Sequence, residues 1–360
     1  MGRTQKGRVA DLSKALLRGT ASLRDSLWLL NEAAAAEVVK EDWGEVKKAA
    51  DKVAKEATTI GMLWTQGLKD EDANQALKTY FEGLQALLLL CHACTVGAGP
   101  TLLVTIRNAA QQVVNASLTL LTRAVSYSIK GAEKQEREAI LPAHVGSVWE
   151  ACNTLKRTPY TNRAAVGRSI AQVATSFKNV LQKIRQIKEG QSSQRNASDY
   201  EETSNGDGNA CVESLDSNEE LSEEEMAVVE AAKHVVECSL DFIKQLLYVA
   251  AEVPVPQGTE ETSTGFLENV LKHCRGLGVE VDKLSAYLHP PQQTDQLQGR
   301  IMKMETLVNL ISTQVRETRG SVPEGLDLAF KSLQNAKTEL FMLSSFELQE
   351  ALKLTSLSPP

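Results

Sequence analysis

The chain has 360 residues, more than a single hydrophobic core normally accommodates, so its length predicts two domains. Hydrophobic residues make up 42% of the chain and aromatic residues only 5%, and Ala and Leu recur throughout, a bias that favours helix over strand. No apolar stretch approaches the length of a membrane span, so we expect no membrane insertion. Six cysteines without a secretory signal indicate a reducing compartment rather than a disulfide framework.

Charge is distributed unevenly along the chain. Residues 1–198 carry 27 Lys and Arg against 18 Asp and Glu. Residues 199–225 carry 11 acidic residues and no basic one, and residues 226–360 carry 12 basic residues against 17 acidic ones, for a total net charge of −7. This division predicts a basic domain, an acidic connector and a mildly acidic domain.

Apolar residues recur at alternating intervals of three and four residues, which places one apolar stripe on each of several helices. Clear examples run from Trp43 to Trp64, from Val166 to Ile187 and from Leu297 to Val315. No segment alternates as a strand would. The pattern and its Gly, Pro and capping signals predict helices over residues 8–40, 45–68, 71–96, 101–130, 144–155, 162–189, 222–252, 264–288, 294–319 and 323–353.

These helices fall into two groups separated by a polar segment. Residues 191–221 are rich in Ser, Asn, Asp, Glu and Gly, and they contain too few apolar side chains to offset the entropy of ordering. We therefore predict an all-α fold of two antiparallel helical bundles joined by a disordered acidic linker. The N-terminal bundle, of five to six helices, covers 1–190, the linker covers 191–221, and a C-terminal four-helix bundle covers 222–360.

The sequence lacks the motifs by which enzymes bind phosphate, dinucleotides or catalytic metals, and its five histidines offer little for acid–base catalysis. The nearest approach to a metal site is the pair Cys91 and Cys94 with the pair His234 and Cys238, each at helical spacing. The two pairs fall in different predicted bundles, and cysteine is an ordinary small core residue. We predict a protein that is not an enzyme and has no cofactor or metal.

The basic residues of the N-terminal half are spread over several helices. Their densest cluster comprises Arg3, Lys6, Arg8, Lys14, Arg18 and Arg24. Because no aromatic residues are interleaved with these charges, they indicate solvated helix faces rather than direct nucleic-acid binding. A targeting role for this N-terminal arm is left open.

Three serines in and beside the acidic segment are candidate phosphorylation sites. Ser198, Ser217 and Ser222 each precede a Glu by three residues, the pattern that acid-directed kinases use. The last of them also begins Ser222-Glu223-Glu224-Glu225, which matches the capping box of a helix N-terminus.

Short segments in order along the chain resemble one known family. Residues 147–152 read Ser-Val-Trp-Glu-Ala-Cys and are followed by a Pro and by Asn162-Arg163-Ala164-Ala165. Glu56-Ala57-Thr58-Thr59 lies in the second predicted helix, and Val281-Asp282-Lys283-Leu284 leads into Tyr287-Leu288-His289-Pro290-Pro291. With the acidic insert between two helical domains, these segments resemble the cyclin-D-binding proteins, also described as cyclin-D-interacting or Id-like helix-loop-helix proteins.

The resemblance implies a non-enzymatic negative regulator of cell-cycle progression and transcription in cytoplasm and nucleus. It implies binding to D-type cyclins or helix-loop-helix factors, which such proteins sequester because they lack a DNA-binding basic region. We expect structural roles for the residues of the matching segments, with Trp149 a core anchor between helices. These residues are Glu56, Thr58, Thr59, Ser147, Trp149, Cys152, Asn162, Tyr287, Pro290 and Pro291. The alternative is a vinculin- or talin-like helical-bundle scaffold of the cytoskeleton, which has the same apolar spacing.

Overall fold

The structure is a computed structural model that describes residues 5–66, 70–130, 134–198, 221–252 and 260–356. Within these ranges the chain forms α-helices and one short 3-10 helix, and no strand. The all-α prediction is therefore confirmed. Residues 199–220, most of the predicted linker, lie outside the described residues.

Ten α-helices occupy nearly all of the described ranges. A 3-10 helix, Leu29–Asn31, follows the first of them. In chain order the α-helices are α1 (Gln5–Trp28), α2 (Trp43–Gln66), α3 (Asp70–Ala93), α4 (Pro100–Lys130), α5 (Lys134–Lys156), α6 (Asn162–Ser198), α7 (Glu223–Glu252), α8 (Glu260–Ala286), α9 (Thr294–Arg319) and α10 (Glu324–Ser356).

The chain divides into two compact units. The first comprises Met1–Ala165 with Gly258–Thr264, and its core is built from α1 to α5. In this unit α2 packs against both α3 and α5, and α4 packs against α5. The predicted stripe of α2 is the buried face of that helix, from Trp43 to Trp64.

The second unit comprises Val166–Gln257 with Gly265–Pro360. Its core includes α6, whose apolar stripe runs from Val166 to Ile184 and contains the fully buried Phe177. The predicted N-terminal bundle, over 1–190, includes this helix. The structure groups it with α7 to α10 instead, because its apolar side chains belong to their core.

The first helix is shorter than the prediction over 8–40, since α1 ends at Trp28 and residues 32–40 are not helical. This Ala-rich segment has high helix propensity, but its backbone is held by a contact with the end of α3. The backbone N–H of Ala34 donates to Thr95 Oγ1 at 2.8 Å, and Ala34 itself is buried. The prediction is wrong over 32–40 because this tertiary contact outweighs local propensity.

The fifth helix is longer than the predicted 144–155 and runs through Pro142. Proline removes a backbone donor and is unfavourable inside a helix. Leu141 and Val148 are both fully buried, so core packing holds α5 on each side of the proline.

A candidate protein-interaction surface

Two of the family-like segments meet where α2 packs on α5, although they are 91 residues apart in the chain. The indole Nε1–H of Trp149 donates a hydrogen bond to Thr58 Oγ1 at 3.0 Å. The Thr58 hydroxyl in turn donates to the carbonyl oxygen of Ala54 at 3.1 Å. A hydroxyl has one proton and two lone pairs, so Thr58 can make both bonds. The ring of Trp149 is thereby held in one orientation against α2.

Trp149 is 40% exposed, whereas Trp43 and Trp64 of the same unit are 3% and 2% exposed. The expectation that Trp149 is a core anchor is corrected by this exposure. In α5 the core-facing positions belong to Val148 and Cys152, and Trp149 lies one residue, or about 100°, further round the helix. Its ring therefore presents apolar surface to solvent while its polar atom is already bonded.

Met62 extends the apolar character of this surface along α2. It lies one helical turn beyond Thr58 and is 57% exposed. Exposed aromatic and Met side chains are both enriched at protein–protein contacts. We call Thr58, Met62 and Trp149 the tryptophan surface.

The other edge of α2 faces α3 across a cavity of about 310 Å³. α2 contributes Glu56 and Thr59, two further residues of the same family-like segment. α3 contributes Asp72, Gln75 and Thr79, together with Tyr80, whose buried hydroxyl donates to Ser117 Oγ at 2.9 Å. We call this the acidic cavity, because two of its lining residues are carboxylates.

Glu56 is only weakly paired in the acidic cavity. Its Oε1 atom lies 3.8 Å from Lys52 Nζ, and its Oε2 atom is buried without a hydrogen-bond partner among the described residues. Gly83 on α3 leaves room for this carboxylate, since a Cβ there would lie 2.5 Å from Oε2. Partial burial raises the pKa of Glu56 above its ordinary value, and the charge of Lys52 opposes that shift.

Asn162 closes the turn between α3 and α4. Its Oδ1 atom accepts the backbone N–H of Gly99 at 2.7 Å, and its Nδ2 group donates to the carbonyl oxygen of Gly97 at 2.8 Å. The same Nδ2 group donates to Thr264 Oγ1 at 3.0 Å. Gly97 has a φ of 73°, a backbone conformation that favours glycine. Asn162 thus holds a turn in the first unit.

Ser147 and Cys152 lie on different faces of α5. The exposed Ser147 hydroxyl donates to the carbonyl oxygen of Ala143 at 3.0 Å. Cys152 is 1% exposed, and burial raises the pKa of its thiol to about 12, so it stays protonated near neutral pH. Neither side chain contributes to the tryptophan surface.

Tyr287, Pro290 and Pro291 belong to the second unit, at the end of α8. The Arg300 guanidinium lies 5.9 Å from the centre of the Tyr287 ring, a cation–π contact, and it also pairs with the buried Glu280 at 3.0 Å. The Pro290–Pro291 peptide bond is cis. These residues terminate a helix and join it to α9.

Of the three candidate phosphorylation sites, the structure describes the environment of Ser222 alone. Its Oγ atom accepts the Glu225 N–H at 3.1 Å, and Glu225 Oε2 accepts the Ser222 N–H at 2.9 Å, so the two residues form the capping box of α7. Ser198 is the last residue of α6, and its side chain is outside the described part of the chain, as is Ser217.

The pair Cys91 and Cys94 belongs to the first unit, and the pair His234 and Cys238 belongs to the second. Cys91 is fully buried, and Cys94 donates through Sγ to the carbonyl oxygen of Glu41 at 3.3 Å. His234 Nε2 lies 3.8 Å from Cys238 Sγ. The described residues contain no cluster of three or more metal-ligating side chains. None of the helices in the described ranges is long and apolar enough to span a bilayer.

Met62, Asp72 and Gly83 belong to none of the motifs or family-like segments found in the sequence. An exposed apolar residue beside the core stripe of α2 was the available signal for Met62, which lies between the buried positions Ile60 and Trp64. Asp72 and Gly83 carried no signal of their own, because their importance depends on where α3 packs.

The family-like segments fall within two ranges of the chain that match known family models. Residues 45–190 match the family model described as Grap2 and cyclin-D-interacting, N-terminal. Residues 198–313 match the model described as Grap2 and cyclin-D-interacting, C-terminal. No curated protein matches the chain. Because the two models together match well over half of it, in N- to C-terminal order, the chain belongs to the Grap2 and cyclin-D-interacting protein family.

Proposed function

We propose that this protein is a non-enzymatic regulator that restrains cell-cycle progression by binding a D-type cyclin through the tryptophan surface. The observation that carries the proposal is the half-exposed Trp149, fixed by Thr58 within the N-terminal family range. Family membership supports the class of partner, and the geometry supports the location.

Trp149 is suited to anchor a partner on physical grounds. Covering its exposed ring removes apolar surface from water, which stabilises a complex. Its only polar atom already bonds to Thr58, so docking leaves no donor unsatisfied. Its orientation is set before the partner arrives, which reduces the side-chain entropy lost on binding. Trp28 is more exposed, at 75%, but it lies outside the range that matches the family.

Replacement of Trp149 tests this proposal. In the full-length protein we expect Trp149→Ala to weaken binding to a D-type cyclin at least tenfold by calorimetry, a loss of about 1.4 kcal/mol or more. The matched control Trp28→Ala removes an exposed indole from the same unit and should leave affinity within twofold. Equal affinities for wild type and Trp149→Ala, or no binding by the wild type, would contradict the proposal.

We further infer that helix-loop-helix factors are a second class of partner and that the protein acts in cytoplasm and nucleus without contacting nucleic acid. The family resemblance supports the partner class and location, and the spread of basic residues over several helices supports the lack of nucleic-acid contact. Pull-down with a helix-loop-helix domain, DNA titration and cell fractionation test these three points separately.

A further inference from the structure

We propose that the acidic cavity between α2 and α3 binds an arginine or lysine side chain of the partner that covers the tryptophan surface. This inference rests on the proposed function and adds a second, electrostatic contact to it. The residues that line this cavity include Glu56 and Thr59 of α2 and Asp72, Gln75, Thr79 and Tyr80 of α3.

The size and lining of the cavity favour a single charged side chain. A volume of about 310 Å³ is at the small end of the range for ligand sites. Its lining combines the carboxylates of Glu56 and Asp72 with neutral polar and apolar side chains, the latter from Ile60 and Ala76, and none of the described lining residues is Lys or Arg. An incoming cation therefore meets acceptors, and it competes with Lys52, whose Nζ atom lies 3.8 Å from Glu56 Oε1.

The carboxylate of Glu56 has unused bonding capacity. Lys52, its nearest cation, is held at 3.8 Å by a side chain that is 69% exposed, a separation too long for a hydrogen bond. Partial burial of a weakly paired carboxylate is destabilising, and a guanidinium or ammonium group bound beside it would reduce that penalty. Asp72, exposed on the α3 side of the cavity, adds attraction as the cation approaches.

The acidic cavity and the tryptophan surface lie on the two edges of one helix. Thr58 contacts Trp149 on the α5 side, and the next residue, Thr59, lines the cavity on the α3 side. The two contact points are therefore about one helix diameter apart, roughly 10 Å. A partner segment that crosses α2 can cover Trp149 with an apolar residue and place a basic one beside Glu56.

Charge-neutralising variants in the full-length protein test the cavity. We expect Glu56→Gln to weaken binding to a D-type cyclin about tenfold and to flatten the dependence of affinity on salt between 50 and 150 mM, an effect of lost ion pairing. Asp72→Asn, at an exposed position in the first turn of α3, should weaken binding two- to fivefold. Glu82→Gln is the matched control, because it removes one exposed charge from α3 outside the cavity and should change affinity less than twofold.

The outcomes separate this inference from the proposed function. If wild type binds and both cavity variants behave like Glu82→Gln, the cavity proposal is overturned while cyclin binding stands. If Glu56→Gln unfolds, Asp72→Asn carries the test. If wild type does not bind the cyclin, titration with propylguanidinium, followed by NMR shifts of Gln75 and Thr79, tests the cavity alone. Saturable shifts that Glu56→Gln abolishes support it, and shifts that do not saturate overturn it.

Discussion

Lys337 is a charged residue in the core of the second unit. It lies on the buried face of α10, is 3% exposed, and its Nζ atom has no hydrogen-bond partner among the described residues. Burial lowers the pKa of this amine from 10.5 to about 8, and the negative charge of Glu305 opposes the shift. At neutral pH the fold therefore holds an unpaired ammonium group away from water, which lowers its stability.

We expect Lys337→Met to stabilise the protein at pH 7 by about 2 kcal/mol, because it replaces the buried amine with an apolar chain of similar length. Wild-type stability should rise between pH 8 and pH 10.5, where the unfolded chain still binds the proton and the folded chain does not. This rise should be absent in the variant. Urea unfolding at several pH values measures both effects.

The control for this prediction is Lys331→Met on the same helix. Lys331 is exposed and pairs with Asp327 at 2.7 Å, so its removal should give no gain in stability. Equal unfolding midpoints for wild type and Lys337→Met at pH 7 would show that the amine reaches solvent or a partner.

The N-terminus of α7 is hydrogen-bonded to the connection between α8 and α9. Ser222 and Glu225 satisfy each other's backbone N–H groups, and Glu225 also engages the turn that follows the two prolines. Its Oε1 atom accepts the Gln292 N–H at 3.3 Å, and its carbonyl oxygen accepts Gln292 Nε2 at 2.9 Å. The capping box therefore positions α7 against the connection between α8 and α9.

Loss of the cap should destabilise the protein measurably. We expect Ser222→Ala to lower the free energy of unfolding by about 1 kcal/mol, since the N–H of Glu225 loses its acceptor. Ser332→Ala, an exposed substitution in the middle of α10, should have no such effect, because Ala is a good helix former there. Thermal melts followed by circular dichroism distinguish the two, and identical melts for wild type and Ser222→Ala would argue against the capping box.

At the scale of the whole molecule, α6 decides where the second unit begins. The N-terminal family model extends to residue 190, close to the end of the N-terminal bundle predicted from sequence. The compact units divide after Ala165 instead, and Val166, Ile170 and Phe177 belong to the core of the second unit. A boundary drawn from sequence composition and one drawn from packing thus differ by the length of one helix.

This difference predicts the behaviour of fragments. A fragment of residues 162–360 should unfold in one cooperative transition, because it retains every helix of the second core. A fragment of residues 222–360 lacks α6, and the loss of Phe177 alone is expected to cost about 3–5 kcal/mol. We therefore expect the shorter fragment to be at least 10 °C less stable by circular dichroism. Equal melting temperatures would favour the four-helix C-terminal bundle instead.

Part of the interaction surface was accessible to sequence analysis. Glu56, Thr58, Thr59 and Trp149 were identified by family resemblance, because short segments retain their residue types along the chain. Their spatial relation could not be identified in this way, because the hydrogen bond between Thr58 and Trp149 joins positions 91 residues apart. Gly83 shows the same limit, because only the packing of α3 on α2 brings it against the Glu56 carboxylate.

The helical fold and the buried face of most helices could be predicted from sequence alone, because both follow from interactions between residues three or four positions apart. Tertiary structure decided which helices share a core, where the Ala-rich segment after Trp28 leaves the helix, and that Trp149 faces solvent. The physical reason is that an apolar stripe specifies a face but not the partner that covers it. That choice depends on side chains far away in the chain.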